Sequence, residues 1–193
     1  MEEIKNVIDF IIEVEKLKSI KRKTRPVGLD RYENSAEHSW HVCLTALMLK
    51  DYANEVIDIG RVIKMLLIHD LGEIDAGDKI IYECETPEQK NKELAGVQRI
   101  LSYLPKERAR EYEALWTEFE AGETSDSIYA RSIDRIPPIL HNLNGQGHSW
   151  KTHGIRLNQV LKVNSRIGTG CSKVWDYLRS QIKQAVDNGI LQK

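Results

Sequence analysis

Apolar residues recur along this chain at helical spacing and almost nowhere alternate, so the pattern predicts helices throughout. Ile4, Val7, Ile8, Ile11, Val14 and Leu17 form a first stripe, and Pro26 and Gly28 mark a loop beyond it. Asn34, with Glu37 three residues on, makes a capping-box start. The helix it opens is predicted to turn Trp40, Cys43, Leu44, Leu47 and Met48 inward. Asp58 can cap the next helix, which carries Val62, Ile63, Leu66 and Leu67 up to His69 and Asp70.

Further on, Thr86-Pro87-Glu88-Gln89 combines an N-cap, a proline at the first helical position and a capping-box partner. That helix is expected to run to about Leu104, where Pro105 starts another that Gly122 ends. Asp126 can cap the helix holding Asp134, and Pro137-Pro138 should break or kink it. Residues 141–153, rich in Gly and Asn, read as a loop. Two closing helices follow, at about 155–188, the last with Val174, Trp175, Leu178, Ile182, Ala185 and Val186 inward. Trp116 and Trp175 sit at helical spacing among apolar residues and are expected in the core. The expectation is an all-α fold: a single-domain, irregular helical bundle over residues 1–193.

Composition narrows the setting. A chain of 193 residues fits one domain with a sizeable core. The net charge of −1 removes the global basic field of a nucleic-acid binder. No apolar run approaches the length of a membrane span, and Met1-Glu2-Glu3-Ile4-Lys5 lacks a signal-peptide pattern, so no membrane partner is expected. Cys43, Cys84 and Cys171 are odd in number and far apart, which reads as reduced cysteines in a cytoplasmic protein.

The chemistry gathers around the dipeptide His69-Asp70. It follows directly on the apolar run Leu66-Leu67-Ile68, and ionisable groups in such a place are rarely buried unless paired or liganded. With His38 upstream and Asp134 in an apolar helix downstream, the set holds two imidazoles and two carboxylates. Together they can bind one divalent ion, with manganese, cobalt, iron, nickel, zinc and magnesium all admissible. Such an ion can make water nucleophilic near neutral pH. Glu73 shares a helix face with His69 and Asp70 if Gly72 does not end the helix first, and a carboxylate there can act on the water or in proton transfer. Gly77-Asp78 reads as a turn presenting a second acid at the same mouth. Lys16, Lys18, Lys21, Arg22, Lys23 and Arg25 lead into the loop before His38; most are read as a solvated helix end, but a guanidinium there matches phosphate oxygens. His41, three residues after His38, could chelate, though a core or ligand-supporting place fits it better. His148 and His153 are read as loop residues that could belong to a lid.

Taken together, Asn34-Ser35-Ala36-Glu37-His38-Ser39-Trp40-His41, then His69-Asp70-Leu71-Gly72-Glu73 with Gly77-Asp78, then Ser132-Ile133-Asp134-Arg135, resemble the HD-domain superfamily of metal-dependent phosphohydrolases. The match is closest to the small 5′-deoxynucleotidases and spans residues 4 to 145, with the metal-site core at about 34–145. The resemblance implies a helical fold, a homodimer, and hydrolysis of deoxynucleoside 5′-monophosphates to nucleoside and phosphate. It puts the metal ligands on His38, His69, Asp70 and Asp134, catalytic acids on Glu73 and Asp78, and a phosphate-binding arginine on Arg22. Arg25 is the substitute if the loop register differs. Strictly deoxyribose-selective relatives carry an Arg-Trp pair where this chain has Arg22-Lys23-Thr24-Arg25, so weaker rejection of ribonucleotides is expected.

Two other readings compete. A diiron oxygenase or phosphodiesterase on the same scaffold needs further histidines between the His-Asp pair and the last aspartate, and residues 71–133 contain none. A non-catalytic partner-binding module would not require His38, His69, Asp70 and Asp134 together. P-loop, GxGxxG, HExxH and GxSxG motifs are absent, which sets aside nucleotide-triphosphate motors, dinucleotide oxidoreductases, zincins and serine hydrolases.

Overall fold

Side-chain caps start several of the helices. The computed structural model describes residues 1–83 and 86–193, so the expectation for Cys84 lies outside the described residues. Helix α1 (Glu2–Val14) continues into a short 3₁₀ turn, Glu15–Ser19. Helix α2 (Ser35–Leu49) opens on the expected capping box: Glu37 N donates to Asn34 Oδ1 at 2.9 Å, and Asn34 N donates to Glu37 Oε2 at 3.2 Å. Asp58 caps α3 (Ile59–Ile68), accepting from Gly60 N and Arg61 N. After the short α4 (Glu73–Ala76), Thr86 and Gln89 box the start of α5 (Pro87–Leu101), which stops three residues before Leu104. Helix α6 (Lys106–Ala121) ends on left-handed Gly122, as expected.

Helix α7 (Ser125–Asp134) differs from expectation at its start. Thr124, not Asp126, is the cap, boxed with Ser127. Asp126 instead accepts from Asp58 N at 2.7 Å and Arg61 Nε at 3.2 Å, tying the start of α7 to that of α3. The helix breaks at Arg135, and Pro137-Pro138 fall in the first turn of α8 (Ile136–Asn144), where missing N–H groups cost nothing.

The predicted loop over 141–153 is largely helical. Helix α8 runs through His141 to Asn144, and α9 (His148–Thr152) follows a short turn. Trp150, 1% exposed, anchors this segment, and its N–H donates to Asn142 Oδ1 at 3.1 Å. Three helices close the chain rather than two: α10 (Leu157–Asn164), α11 (Ile167–Gly170) and α12 (Ser172–Asp187). On α12, Leu178, Ile182 and Ala185 are buried, with Val174, Trp175 and Val186 packed half-buried beside them.

One apolar cluster runs from Leu17 to Leu191, and α3 sits within it against α2, α6 and α7. The expected inner face of α2 is wrong except at Cys43. Ser35, His38, Ser39, Val42, Cys43 and Ala46 point inward, while Trp40, Leu44, Leu47 and Met48 are 41–66% exposed. The helix is rotated so that small residues meet its neighbours and His38 reaches α7. Among the described residues there is no strand, only isolated bridges such as Lys21 with Asn34. That bridge, with Arg22 N to Glu33 O at 2.8 Å and Glu33 N to Thr24 O at 3.0 Å, folds the 20–35 segment back on itself. Arg22 and Glu33 are thereby carried to His38. Among the described residues no helix is long and apolar enough to cross a membrane.

Candidate active site

Adjacent residues on a helix diverge, so His69 and Asp70 could share a target only at a helix end. The structure supplies that end. Helix α3 stops at Ile68, and a tight turn follows, with Leu71 N on Ile68 O at 3.1 Å and Glu73 N on Asp70 O at 3.0 Å. Both side chains then meet, His69 Nε2 lying 3.0 Å from Asp70 Oδ1. The helix ends before Gly72, so the condition for a shared helix face fails, and Glu73 opens α4 beyond the turn. Gly72 is required here for space: a Cβ would lie 2.7 Å from Glu93 O in α5. Gly77, at φ 78°, then turns the chain so that Asp78 comes back to Arg22, 3.6 Å away.

The His69 ring is fixed from behind. Its Nδ1 lies 2.8 Å from Leu66 O, and Trp116 Nε1 donates to His69 O at 3.0 Å. His69 Nε2 is buried with no hydrogen-bond partner among the described residues. Asp134, the last residue of α7, places Oδ1 2.8 Å from His38 Nε2 and 3.4 Å from His69 Nε2. Ligand atoms of His38, His69 and Asp134 lie within 4.8 Å of one another. Asp70 borders the same point through its contact with His69. Two orphaned or converging imidazole nitrogens facing carboxylate oxygens fit a divalent ion well. Glu33 Oε2 stands 3.5 Å from His38 Nδ1, behind the ring, as carboxylates do behind metal-binding histidines.

Arg22 lies among the acids. Its side chain is 11% exposed; Nη1 is 2.8 Å from Asp70 Oδ2 and 3.8 Å from Glu73 Oε1, and Nε is 3.5 Å from Glu33 Oε2. Burial alone would lower its pKa, but the carboxylates, Asp70 foremost, raise it. Burial, then the Asp70 charge, pushes Glu73 well above the ordinary carboxylate range, and Ser35 Oγ donates to its Oε2 at 2.6 Å. Burial raises Asp78 to about 6 against the pull of Arg22. For Asp134, burial is outweighed by His38 and His69, which hold it well below its usual value. For His69, burial is outweighed by Asp70 and Asp134, which raise it to about 9. This excess of negative charge is what a bound cation relieves.

A cleft of about 270 Å³ opens on these groups, lined by His69, Asp70, Glu73 and Asp134 and also by Lys79, Arg131, Arg135 and Arg166. Lys79 Nζ and Arg135 Nε and Nη1 are buried without a hydrogen-bond partner among the described residues. Arg135 Nε lies 3.8 Å from Asp134 Oδ2, too long for a hydrogen bond. Burial, then the neighbouring Arg135 and Arg131 guanidiniums, lowers the pKa of Arg166. Arg131 is already engaged, donating from Nη1 to Phe119 O and Glu120 O.

The structure does not bring Arg25 to this site. Asp30 takes its guanidinium at 2.7 Å, the Tyr32 ring lies 5.4 Å from Arg25 Cζ, and Arg25 lines another cleft with His141 and His148. His41 likewise stands apart from His38's ligand face, stacked on His141 at 5.8 Å. His148 opens α9 against Tyr32, and His153 ends that helix. Sequence reasoning missed Glu33, Lys79, Arg166 and the roles of Ser35, Trp116 and Arg135. Arg135 and Ser35 lay inside the quoted motifs; for Arg166 and Glu33 no local signal exists.

This arrangement is that of a helical domain with a histidine–aspartate cluster at the foot of a cationic cleft. A sequence model of the HD-domain family matches residues 14–175, and the chain belongs to that family. The chain is 29% identical to the 5′-deoxynucleotidase HDDC2 of Dictyostelium discoideum over 168 residues, covering 83% of this chain and 85% of the relative. The human 5′-deoxynucleotidase HDDC2 is 24% identical, over 58% of this chain and 54% of its own length. A crystal structure described as a predicted metal-dependent phosphohydrolase from Magnetospirillum magnetotacticum superposes with a TM-score of 0.94 at 40% identity, covering 100% of both chains.

Proposed function

We propose that the protein is a metal-dependent phosphomonoesterase that releases phosphate from deoxynucleoside 5′-monophosphates. The observation that carries this reading is the cleft in which cationic groups of Lys79 and Arg135, without a hydrogen-bond partner among the described residues, share a lining with His69, Asp70, Glu73 and Asp134. Buried N–H donors of cationic groups left without a hydrogen bond call for an anion, and a phosphate monoester carries nearly two charges near neutral pH. The names of the HDDC2 relatives support the nucleotide.

In this reading His38, His69, Asp70 and Asp134 hold one divalent ion, which when bound supplies Lewis acidity and a nucleophilic water near neutral pH. Arg22, in contact with Asp70, holds the acids in place and offers donors to the phosphate. Glu73, whose pKa burial and the Asp70 charge raise, is placed to give a proton to the departing 5′-oxygen. Asp78, at about 6, is ionised at neutral pH and can accept one. Arg25 is left outside the mechanism. The protein is read as cytoplasmic, in keeping with the unpaired thiols of Cys43 and Cys171.

The homodimer belongs to the same reading. Trp40, Leu44, Leu47 and Met48 lie exposed on one face of α2, an apolar stripe that a second copy of the chain would cover. Light scattering of the wild type should give a dimer and Trp40→Glu a monomer; a wild-type monomer at micromolar concentration removes this part.

The deciding assay is phosphate release from a panel of nucleoside 5′-monophosphates, after chelation and reloading with several divalent metals. Turnover of deoxy forms, with weaker turnover of the matching ribo forms, is expected. No release from any nucleotide with any metal overturns the proposal.

A further inference from the structure

Away from the first cluster, Glu33, His41 and His141 each offer a ligand atom, and these atoms also lie within 4.8 Å of one another. They come from three places in the fold: the loop before α2, the second turn of α2, and α8. Glu33 and His141 are buried, at 2% and 5% exposure. We propose that these three side chains form a second divalent-metal site, distinct from the His38–His69–Asp134 cluster and suited to a borderline ion such as zinc.

The donor set is two nitrogens and one oxygen, which leaves a fourth tetrahedral position for water. The His141 ring is oriented as metal-binding imidazoles are. Its Nδ1 lies 3.3 Å from Thr24 Oγ1, which turns Nε2 toward Glu33 Oε1 at 3.8 Å. That separation is too long for a hydrogen bond but near the roughly 3.4 Å between two ligands of a tetrahedral ion with bonds of about 2.1 Å. Among the described residues no hydrogen bond joins the three side chains; Glu33 Oε2, buried without one, faces His38 and Arg22, which leaves Oε1 for the histidine pair.

Simple packing explains the stacked rings of His41 and His141. It does not explain why Glu33 Oε1 is set 3.8 Å from His141 Nε2 with no hydrogen bond between them. A cleft of about 470 Å³, lined by Glu33, His41 and His141 together with Trp40 and Leu140, gives an ion a route in. Glu33 joins the two sites, since its other oxygen faces His38 Nδ1 at 3.5 Å.

Residues 71–133 contain no histidine. His41 and His141 lie on either side of that interval, and the fold brings them together.

The test counts metal and does not depend on catalysis. Chelator-stripped protein is reloaded with excess zinc, desalted, and its zinc per chain measured by mass spectrometry, with circular dichroism as a check of folding. Wild type should hold two equivalents, and Asp70→Ala, His141→Gln and His41→Gln one each. His41 is only half-buried, so its variant keeps the test valid if His141→Gln fails to fold. Asp70→Ala combined with His41→Gln should hold almost none. One equivalent in the wild type overturns the proposal. So does a second equivalent that survives His41→Gln, because the ion would then lie elsewhere.

Discussion

The acidic and basic groups around the cleft are satisfied in opposite ways. Asp70, Glu73 and Asp78 all lie within 3.8 Å of one guanidinium, Arg22, and Asp134 lies within 3.4 Å of His38 and His69. Lys79 and Arg135 have no hydrogen-bond partner among the described residues, and Arg166 is pressed by neighbouring arginines. A folded chain keeps buried unpartnered cations only at a cost, which a bound anion would remove. The acids are thus arranged to hold a cation between themselves, whereas the basic groups are left open for a ligand. Their substitutions should fail differently.

The largest effect is expected from the acids. Asp70→Ala should lose the ion of the first site, while the protein stays helical, and lower turnover by about a thousandfold or more. Metal counting and phosphate release on the same samples check this; full occupancy with the aspartate gone would break the assignment. Glu73→Gln should keep its metal and lower turnover by about a hundredfold. Wild-type turnover in that variant would reduce Glu73 to a partner of Ser35 and Arg22.

On the basic side the loss should appear in binding. A hydrogen bond to a charged group contributes about 1.5–3 kcal/mol, so Arg135→Ala should raise KM roughly 10- to 100-fold with metal content unchanged. Arg25→Ala, at its separate cleft, is the control and should stay within about twofold. If Arg135→Ala instead empties the metal site, the division between the two sets is wrong.

The last effect is a pH dependence of stability, and it follows from His69 and Asp78. His69 is raised from 6.5 to about 9 and Asp78 from 3.8 to about 6 in the folded, metal-free protein. Between those values the native state binds more protons than the unfolded one, so stability falls as pH rises. His69's contribution, on the order of 3 kcal/mol, is full below 6.5 and lost through about 9. Thermal melts of the chelated protein should therefore decline from pH 6 to 9. Metal-loaded protein should lose this trend, since the ion takes the place of the His69 proton.

What was legible in the chain is what lies within one turn of itself. The caps at Asn34, Asp58 and Thr86 and the stop at Gly122 depend on bonds spanning two to four residues, and all four are where the pattern put them. The expected cap at Asp126 failed: Thr124 caps the helix, and Asp126 is drawn off by a distant partner, Arg61. The reading of 141–153 as a loop failed for a related reason. Gly and Asn favour turns in isolation, but burying Trp150 outweighs that preference.

By itself, then, the sequence determined the helical class, the starts of α2, α3, α5 and α6, and a candidate set of His38, His69, Asp70 and Asp134, of which the fold gathers His38, His69 and Asp134 with Asp70 beside them. Only the tertiary structure decided which face of α2 turns inward, that Arg22 sits among the acids while Arg25 does not, and that Glu33 stands between two histidine clusters. It also decided that Lys79, Arg135 and Arg166 meet in one cleft. Periodicity and capping act over one or two turns of helix. The direction of a charged side chain depends instead on counter-charges many residues away, such as Arg22 on Asp70, which become neighbours only once the helices pack.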